Sequence, residues 1–462
     1  MRLLHGRRFV LSSPGWFVLL LMMWAGSLDV RAQDGLQFSG FLRFYAGVET
    51  DAEAAFIAAR SRARLNLLYR YDRGRIFLSN DLRNDYLRTS DDAPIGEVRY
   101  DLREAFIDVY GPNVDVRLGR QQIVWGEADG AFVTDLVAPL DLTEFLAQDF
   151  ADIRLGIPAL KVIYYPGAFA LEGVLIPRYF PSRLPEAGSP WDPLPERLAG
   201  LPVVRREGTL PAFTLRNGET ALRLTYNGLP WTSVALLHLY TWNRQPAFDK
   251  GVTLASGRLA NLTFTPAYYR RHVAGLTFST ALPDPFVVRG EVAVYSRRAF
   301  DLTADASLLT APLDPSRLGL LQAALEDGFL AYRPFGQAML GMERLWGRHL
   351  VRVQGISSLV FRYDDALAQR PFEQTVTVLY NGSFRRETLA LQAFGFYNLA
   401  GRNYWFNPAL TYAVRDALNA TLGLHLFGGD APEDALGTLP TTFSFATYRA
   451  NDFVYLKVQY DF

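Results

Sequence analysis

Two groups of charged residues in this chain have the types and spacing to act on one another. Arg60, Arg62 and Arg64 recur at every second position. In an extended strand that period puts all three side chains on one face. Further along, residues 125–158 carry Glu127, Asp129, Asp135, Asp141, Glu144, Asp149 and Asp152, with Arg154 as the only basic residue. An arginine ladder facing an acidic segment sets a transverse field across any passage between them, favouring polar or anionic solutes. Catalytic chemistry has much less to work with. Beyond the N-terminal segment the histidines are His238, His272, His349 and His425, none at a hydrolase or protease spacing. No Gly-x-Ser-x-Gly elbow, His-Glu-x-x-His zinc helix or phosphate loop is present. There are no cysteines, so thiolate chemistry, Cys-based metal sites and disulfides are ruled out. The expectation is a non-enzyme without cofactor or metal.

The ladder belongs to a strand running on to Tyr71, which turns at Asp72-Arg73-Gly74. It returns with Ile76, Leu78 and Leu82 on one face and Ser79, Asp81, Arg83 and Asp85 on the other. This is a hairpin pattern. Short turns of the same kind are expected at 111–113, 166–167, 227–228, 282–284, 347–348, 381–383 and 415–416. Between them lie long connections near 88–97, 125–158, 178–216, 243–271, 298–334 and 428–450. The chain ends on Val454-Tyr-Leu-Lys-Val-Gln-Tyr-Asp-Phe462, whose Lys457, Gln459 and Asp461 alternate with apolar residues. Alternating strands joined by tight turns at one end and long loops at the other define an all-β, antiparallel transmembrane β-barrel. The count is about 18 strands. Sixteen is the competing count, because the strands near 159–177 and 417–428 are weakly marked. Tyr69, Tyr71, Tyr110, Tyr164, Tyr165, Tyr226, Trp231, Trp346, Tyr460 and Phe462 all fall at the short-turn end, where a barrel carries an aromatic girdle.

In such a barrel an arginine facing mid-bilayer lipid costs about 2–4 kcal/mol. Arg43, Arg60, Arg62, Arg64, Asp81, Arg83, Arg120, Arg289 and Glu291 are therefore expected to line the lumen. The alternative is a filled wall, with the arginines paired to Asp81, Asp85, Asp101, Glu104 and Glu291 on neighbouring strands. The 125–158 loop is shaped by Gly130 and Pro139. It carries Phe132, Leu136, Leu140, Leu142 and Phe145 besides its acids. A loop both acidic and apolar is expected to fold into the barrel and narrow it, with Trp125, Glu127, Asp129, Asp135, Asp141 and Glu144 at the constriction. Its alternative is an external flap whose acids face water or bind divalent cations. A short amphipathic helix is expected at Pro315–Asp327.

The N-terminus reads as a signal peptide over 1–32. It has a basic start (Arg2, Arg7, Arg8), an apolar Phe17–Trp24 core too short to span a bilayer, and a small-residue Val30-Arg31-Ala32 cleavage pattern. Residues 33–462 are then one barrel domain. The chain is 49% hydrophobic and 14% aromatic, with 47 basic and 47 acidic residues. Without 1–32 the balance is 43 to 46, which argues against nucleic acid as a partner.

The stretch Leu118-Gly-Arg-Gln-Gln-Ile-Val-Trp-Gly-Glu127, then Pro139-x-Asp141-Leu142, Gly156–Lys161 and Arg289-Gly-Glu291, resembles a Gram-negative porin-like outer-membrane family catalogued as a domain of unknown function. The terminal Phe462 resembles the sorting signal of bacterial outer-membrane barrels. The family's usual Asn before the loop proline is Ala138 here, so no role for that amide carries over. The resemblance implies a barrel in the bacterial outer membrane. Its partners would be the lipid bilayer, lipopolysaccharide and the barrel-assembly machinery; the oligomeric state is left open. The function expected is a porin-like channel for passive diffusion of small polar or anionic solutes. One alternative is a transporter of hydrophobic or amphiphilic compounds; another is a non-conducting barrel serving adhesion or enzymology.

Overall fold

The computed structural model describes residues 35–462 apart from 52–53, 89–95, 146, 195–196, 199–200, 256–257, 284, 304–327 and 431–443. The expected signal peptide and the Pro315–Asp327 helix lie outside the described residues. The chain opens with seven consecutive barrel strands: β1 (Leu36–Glu49), β2 (Phe56–Tyr71), β3 (Gly74–Asp85), β4 (Glu97–Tyr110), β5 (Val114–Gln121), β6 (Ile157–Tyr164) and β7 (Phe169–Ile176). Two short strands, β8 (Arg197–Leu198) and β9 (Leu201–Arg205), leave the wall. It resumes with β10 (Glu219–Leu229) and β11 (Thr232–Trp242), and a second excursion forms β12 (Ala247–Ala255) and β13 (Arg258–Ala267). The remaining wall strands are β14 (Arg270–Ala281), β15 (Phe286–Asp301), β16 (Leu330–Trp346), β17 (His349–Val360), β18 (Phe372–Phe384), β19 (Leu389–Asn398), β20 (Asn403–Arg415), β21 (Leu418–Gly428) and β22 (Phe453–Asp461).

Eighteen strands form one sheet, each antiparallel to its neighbours, and β1 pairs with β22 from Phe41↔Asp461 to Glu49↔Phe453. Closure leaves no free edge. Both weakly marked regions are strands (β6, β7 and β21), which settles eighteen over sixteen. Alternation decides which side chains face out. Leu65, Leu118, Leu222, Leu340, Leu422 and Leu456 are exposed on the outer surface. Each leucine left in water forgoes about 1.5–3 kcal/mol, so a belt of them all round suits hydrocarbon, and the barrel is transmembrane in build. Tyr69, Tyr110, Tyr164, Trp231, Trp346 and Phe462 are exposed at the short-turn end, as a girdle requires.

Two turns fall later than the sequence suggests. Asn227-Gly228 lies inside β10, and the chain reverses at Pro230-Trp231, where Trp231 has φ 60°. Asn381-Gly-Ser383 pairs with β17 and β19, and the reversal comes at Arg385–Glu387. Ladder pairing outweighs the turn propensity of Asn-Gly here, because the strands must reach the rim. The excursions were legible only as long loops: β12 and β13 form a hairpin, β9 adds to β13 in parallel, and β8 pairs β9.

The interior is not uniformly polar. From β6 round to β17 the inner wall presents Ala159, Val174, Ile176, Ala221, Leu237, Leu239, Val273, Ala293, Met339 and Ile356, all buried. Ile123, Trp125, Val133 and Val137 of the β5–β6 connection pack on this apolar half. On the opposite side Leu140, Leu142, Phe145 and Ile153 pack against Phe394, Trp405, Phe427 and Phe453.

Candidate functional site

The connection between β5 and β6 spans residues 122–156 and lies inside the barrel, which excludes the external flap. Its neck is tied at both ends. Gly119 on β5 has φ +131°, and a Cβ there would lie 2.2 Å from the Ala105 carbonyl oxygen, so this irregular step accepts only glycine. Gln121 Nε2 donates to the Ala159 carbonyl at 2.9 Å, and the Gln122 amide donates to Glu104 Oε1 at 2.9 Å. Gln122 Nε2 reaches the carbonyl of Arg154, on the returning limb, at 3.0 Å. Arg120 has no ion-pair partner among the described residues; its Cγ lies 3.3 Å from where a Gly156 Cβ would be.

Past the neck, Trp125 is buried against the apolar wall and its indole N–H donates to Glu172 at 3.2 Å. Glu291, from β15, is also buried. It accepts from the Thr134 amide at 3.1 Å, from the Thr134 hydroxyl at 2.7 Å, and from the Glu127 amide. Trp125 and Glu291 thus fasten the loop rather than lie open to the lumen. Glu127 pairs with Arg289 at 2.6 Å, and Asp129 with Arg352 of β17 at 2.8 Å, while both arginines also hold Glu343. Asp135 pairs with Arg154 at 2.6 Å. Burial nevertheless raises its pKa, because this one partner offsets only part of the lost hydration.

The middle of the loop makes backbone bonds as well. The Asp141 amide donates to the Ile153 carbonyl at 2.6 Å and that of Leu155 to Pro139 at 2.9 Å. Arg183, from the β7–β10 connection, donates its amide to the Leu140 carbonyl at 2.8 Å. The Asp141 carboxylate accepts from the Thr143 hydroxyl at 2.6 Å and pairs with Arg83 at 3.3 Å and Arg183 at 3.5 Å.

The acids on the returning limb meet the ladder. Asp152 sits in a four-residue helix, α1 (Phe150–Ile153). It pairs with Arg62 at 2.6 Å, Arg43 at 2.7 Å and Arg64 at 2.8 Å, and Arg103 lies 3.9 Å away. Burial opposes its charge, yet Arg62, Arg43, Arg64 and Arg103 together hold it well below the ordinary carboxylate range. Asp149 pairs with Arg43 at 2.9 Å and Lys457 at 3.1 Å, and Glu144 pairs with Arg60. Asp81, buried in the wall, pairs with Arg64 at 2.7 Å and lies 3.6 Å from Arg103. Arg83 also pairs with Asp101 at 3.2 Å. The ladder therefore divides between the loop, which takes most of it, and wall partners. Within this cluster Arg43, Arg60, Arg62, Arg64, Arg103 and Lys457 face Asp81, Glu144, Asp149 and Asp152, an excess of two positive charges.

Cavities flank the loop on several sides. One, of about 390 Å³, lies between residues 144–152 and the β1, β2 and β18–β22 walls. Its lining mixes Arg43, Arg60, Arg62 and Lys457 with Asp129, Glu144, Asp149 and Asp152 and with the rings of Tyr45, Phe150, Phe394, Trp405 and Tyr455. The second, of about 370 Å³, lies between residues 130–140 and the opposite wall, lined by Arg271, Arg298 and Glu373 among others. Sequence reading missed Arg103, Arg183 and Arg352. Arg352 carried a usable signal, since it alternates with apolar Val351 and Val353.

Residues 62–462 match the model of a family described as a protein of unknown function, DUF1302. The chain belongs to that family. No curated protein matches the sequence of this DUF1302 chain. Among solved structures it is similar to OccK8 (OprE) of Pseudomonas aeruginosa, with a TM-score of 0.50 and 11% identity over 92% of this chain and 98% of that one. It is likewise similar to the outer membrane protein opdK of the same organism (TM-score 0.50, 10% identity, 93% and 100% covered). OccD3 (OpdP) of P. aeruginosa is a third (TM-score 0.50, 10% identity, 94% and 92% covered). What the DUF1302 chain shares with them is the fold. Among its described residues no group of three His, Cys, Asp or Glu is placed to hold a metal ion.

Proposed function

We propose that this protein is an outer-membrane channel through which small polar or anionic solutes diffuse passively, narrowed by the loop at 122–156. The observation that carries the reading is the loop's position. It is held inside the lumen by ion pairs to β1, β2 and β22 on one side and to β15 and β17 on the other. Glu127, Asp129, Asp135, Asp141 and Glu144 sit on it, and Arg43, Arg60, Arg62, Arg64 and Arg83 on the facing wall. The excess of two positive charges in the ion-pair cluster around Asp152 supports a preference for anions. Fold likeness to outer membrane proteins agrees with the location.

Stepwise, ohmic conductance of purified protein in a planar bilayer is the expected result. A folded protein that leaves the membrane silent refutes the channel. Deleting Asp129–Asp149 raises conductance if the loop is the constriction. Neutralising Arg60, Arg62 and Arg64 together shifts ion selectivity toward cations; unchanged selectivity removes the ladder from the mechanism. One observation favours a second reading, transport of amphiphilic compounds: the aromatic rings that line the first cavity beside its charged groups. Uptake of labelled fatty acids or aromatic compounds without ion conductance would select it.

A further inference from the structure

The outer surface carries one feature that the lipid belt does not explain. On β11 the outward residues are Leu236, His238, Tyr240 and Trp242, because Ala235, Leu237, Leu239 and Thr241 are buried inward. Thr232 to Tyr240 is eight steps, about 27 Å of strand, or roughly 20 Å of height at a tilt near 40°. His238, Tyr240 and Trp242 thus lie at the loop-side edge of an apolar band that is about 25 Å tall. His272 on β14 pairs with Tyr240 and stacks on it at 4.6 Å, and the rings of His272 and His238 meet at 3.3 Å between nitrogens. Arg270 lies over the rings of Tyr240 and Trp242 at 4.4 and 5.0 Å.

Arg297 joins this patch through a bulge. Between Tyr295 and Arg298 the β15–β16 register shifts, turning Ser296 and Arg297 outward together. Arg297 is exposed and lies 4.1 Å over the Tyr332 ring. Neither Arg270 nor Arg297 has a carboxylate partner among the described residues. The Trp242 indole donates to the Asn217 carbonyl at 3.2 Å and Arg270 to that of Gly218 at 2.6 Å. These contacts from outward side chains hold the segment before β10 against the outside of the wall. That segment leaves Phe213 and Leu215 exposed, Leu215 almost completely. Unpaired cations, interfacial aromatic rings and protruding apolar side chains at one membrane boundary are complementary to an anionic amphiphile.

We propose that this outer face of β11, β14 and β15 binds the phosphorylated head group of a glycolipid in the outer leaflet. Arg270 and Arg297 hold the phosphate, the two histidines lie beside it, and Phe213 and Leu215 contact its acyl chains. Neighbouring strands are about 4.8 Å apart, so the patch is about 10 Å wide, matching one phosphorylated sugar. The proposal rests on the outer-membrane location above but not on conductance.

The test is native mass spectrometry of the full-length protein in mild detergent, delipidated and titrated with lipid A carrying its phosphates or with enzymatically dephosphorylated lipid A. Wild type is expected to bind the phosphorylated form at least tenfold more tightly than the dephosphorylated one. The Arg270→Gln/Arg297→Gln variant is expected to lose that tenfold, and a periplasmic-side control, Arg348→Gln/Arg415→Gln, to keep it. Heat-modifiable gel mobility establishes that each barrel is folded. Equal binding of the two lipids by wild type, or unaltered binding by the folded variant, overturns the site. So does inorganic phosphate displacing the lipid at comparable concentration, which would reassign the site to a free anion. Should the variant fail to fold, the wild-type ratio decides alone. A silent barrel that still discriminates the two lipids sinks only the channel.

Discussion

Replacing Asp152 by Asn tests the role of the loop most directly. The Asp152 side chain is 3% exposed and is shared by Arg43, Arg62 and Arg64 at 2.6–2.8 Å. Removing one partner from a buried charge network costs about 3–5 kcal/mol, here levied on the docking of residues 144–154. The ties that remain are Glu144 with Arg60 and Asp149 with Arg43 and Lys457. The positive excess in the cluster rises from two to three. One added charge about 7 Å from a monovalent ion in water-like dielectric is worth about 0.6 kcal/mol, roughly halved by screening at 0.1 M salt. Anions gain by that amount and cations lose by it, so the anion-to-cation permeability ratio should rise about threefold. The assay is reversal potential in a planar bilayer under a salt gradient, with single-channel conductance read in the same record. Conductance should also rise as the returning limb loosens. A folded Asp152→Asn barrel with unchanged ratio and unchanged conductance would refute the latch.

The neighbouring acids behave differently. Asp135→Asn should cost under about 1 kcal/mol in denaturant unfolding, because burial already opposes its charge and its partner Arg154 is partly exposed. A loss comparable to that of Asp152→Asn would show the two sites to be equivalent. Trp125→Ala empties a fully packed site at the loop base and should cost about 3–5 kcal/mol, seen as faster protease cleavage between residues 125 and 150; an unchanged cleavage rate contradicts the anchor. Gly119→Ala forces a side chain into positive φ and onto the Ala105 carbonyl, so refolding yield should fall, whereas wild-type yield would show that the neck tolerates a Cβ. The pKa of Asp152 is depressed by docking, so its contribution is present above the ordinary carboxylate value and lost only as pH falls below it. Asp135 shifts upward, so its protonation relieves a burial cost while weakening its pair with Arg154. In an Asp135→Asn background conductance should therefore stay flat from pH 7 to about 5; a step in that window would contradict the downward shift of Asp152.

Strand number and the short-long parity were legible because a closed barrel makes alternation and turn chemistry agree along the whole chain. The acidic, apolar composition of 125–158 likewise left few places for that loop. Its boundaries move only to 122 and 156. The partners were harder to read. Opposite Ser79 and Asn80 the β3–β4 register shifts, so that Arg103 and Glu104, adjacent in sequence, both turn inward. Simple alternation must misplace one of them. The apolar inner wall was also hidden, since inward Val174, Leu237 and Val273 sit among outward leucines and make both faces look alike. Only the loop's own Ile123, Trp125 and Val133 explain why that half of the lumen wall is not polar.

The double pairing of Asp149 has a consequence for assembly. Arg43 belongs to the first strand and Lys457 to the last, and one carboxylate from the middle of the chain holds both. The seam between the chain's two ends is therefore gauged from within. A slip of two residues along β22 preserves every in-out orientation and the alternation of the ladder, so the wall alone resists it weakly. It would carry Lys457 about 6.6 Å along the strand, beyond reach of Asp149, and set it against other partners. The loop thereby distinguishes the correct closure from its nearest counterfeit, and a chain whose loop has not yet folded inward lacks that means of telling them apart.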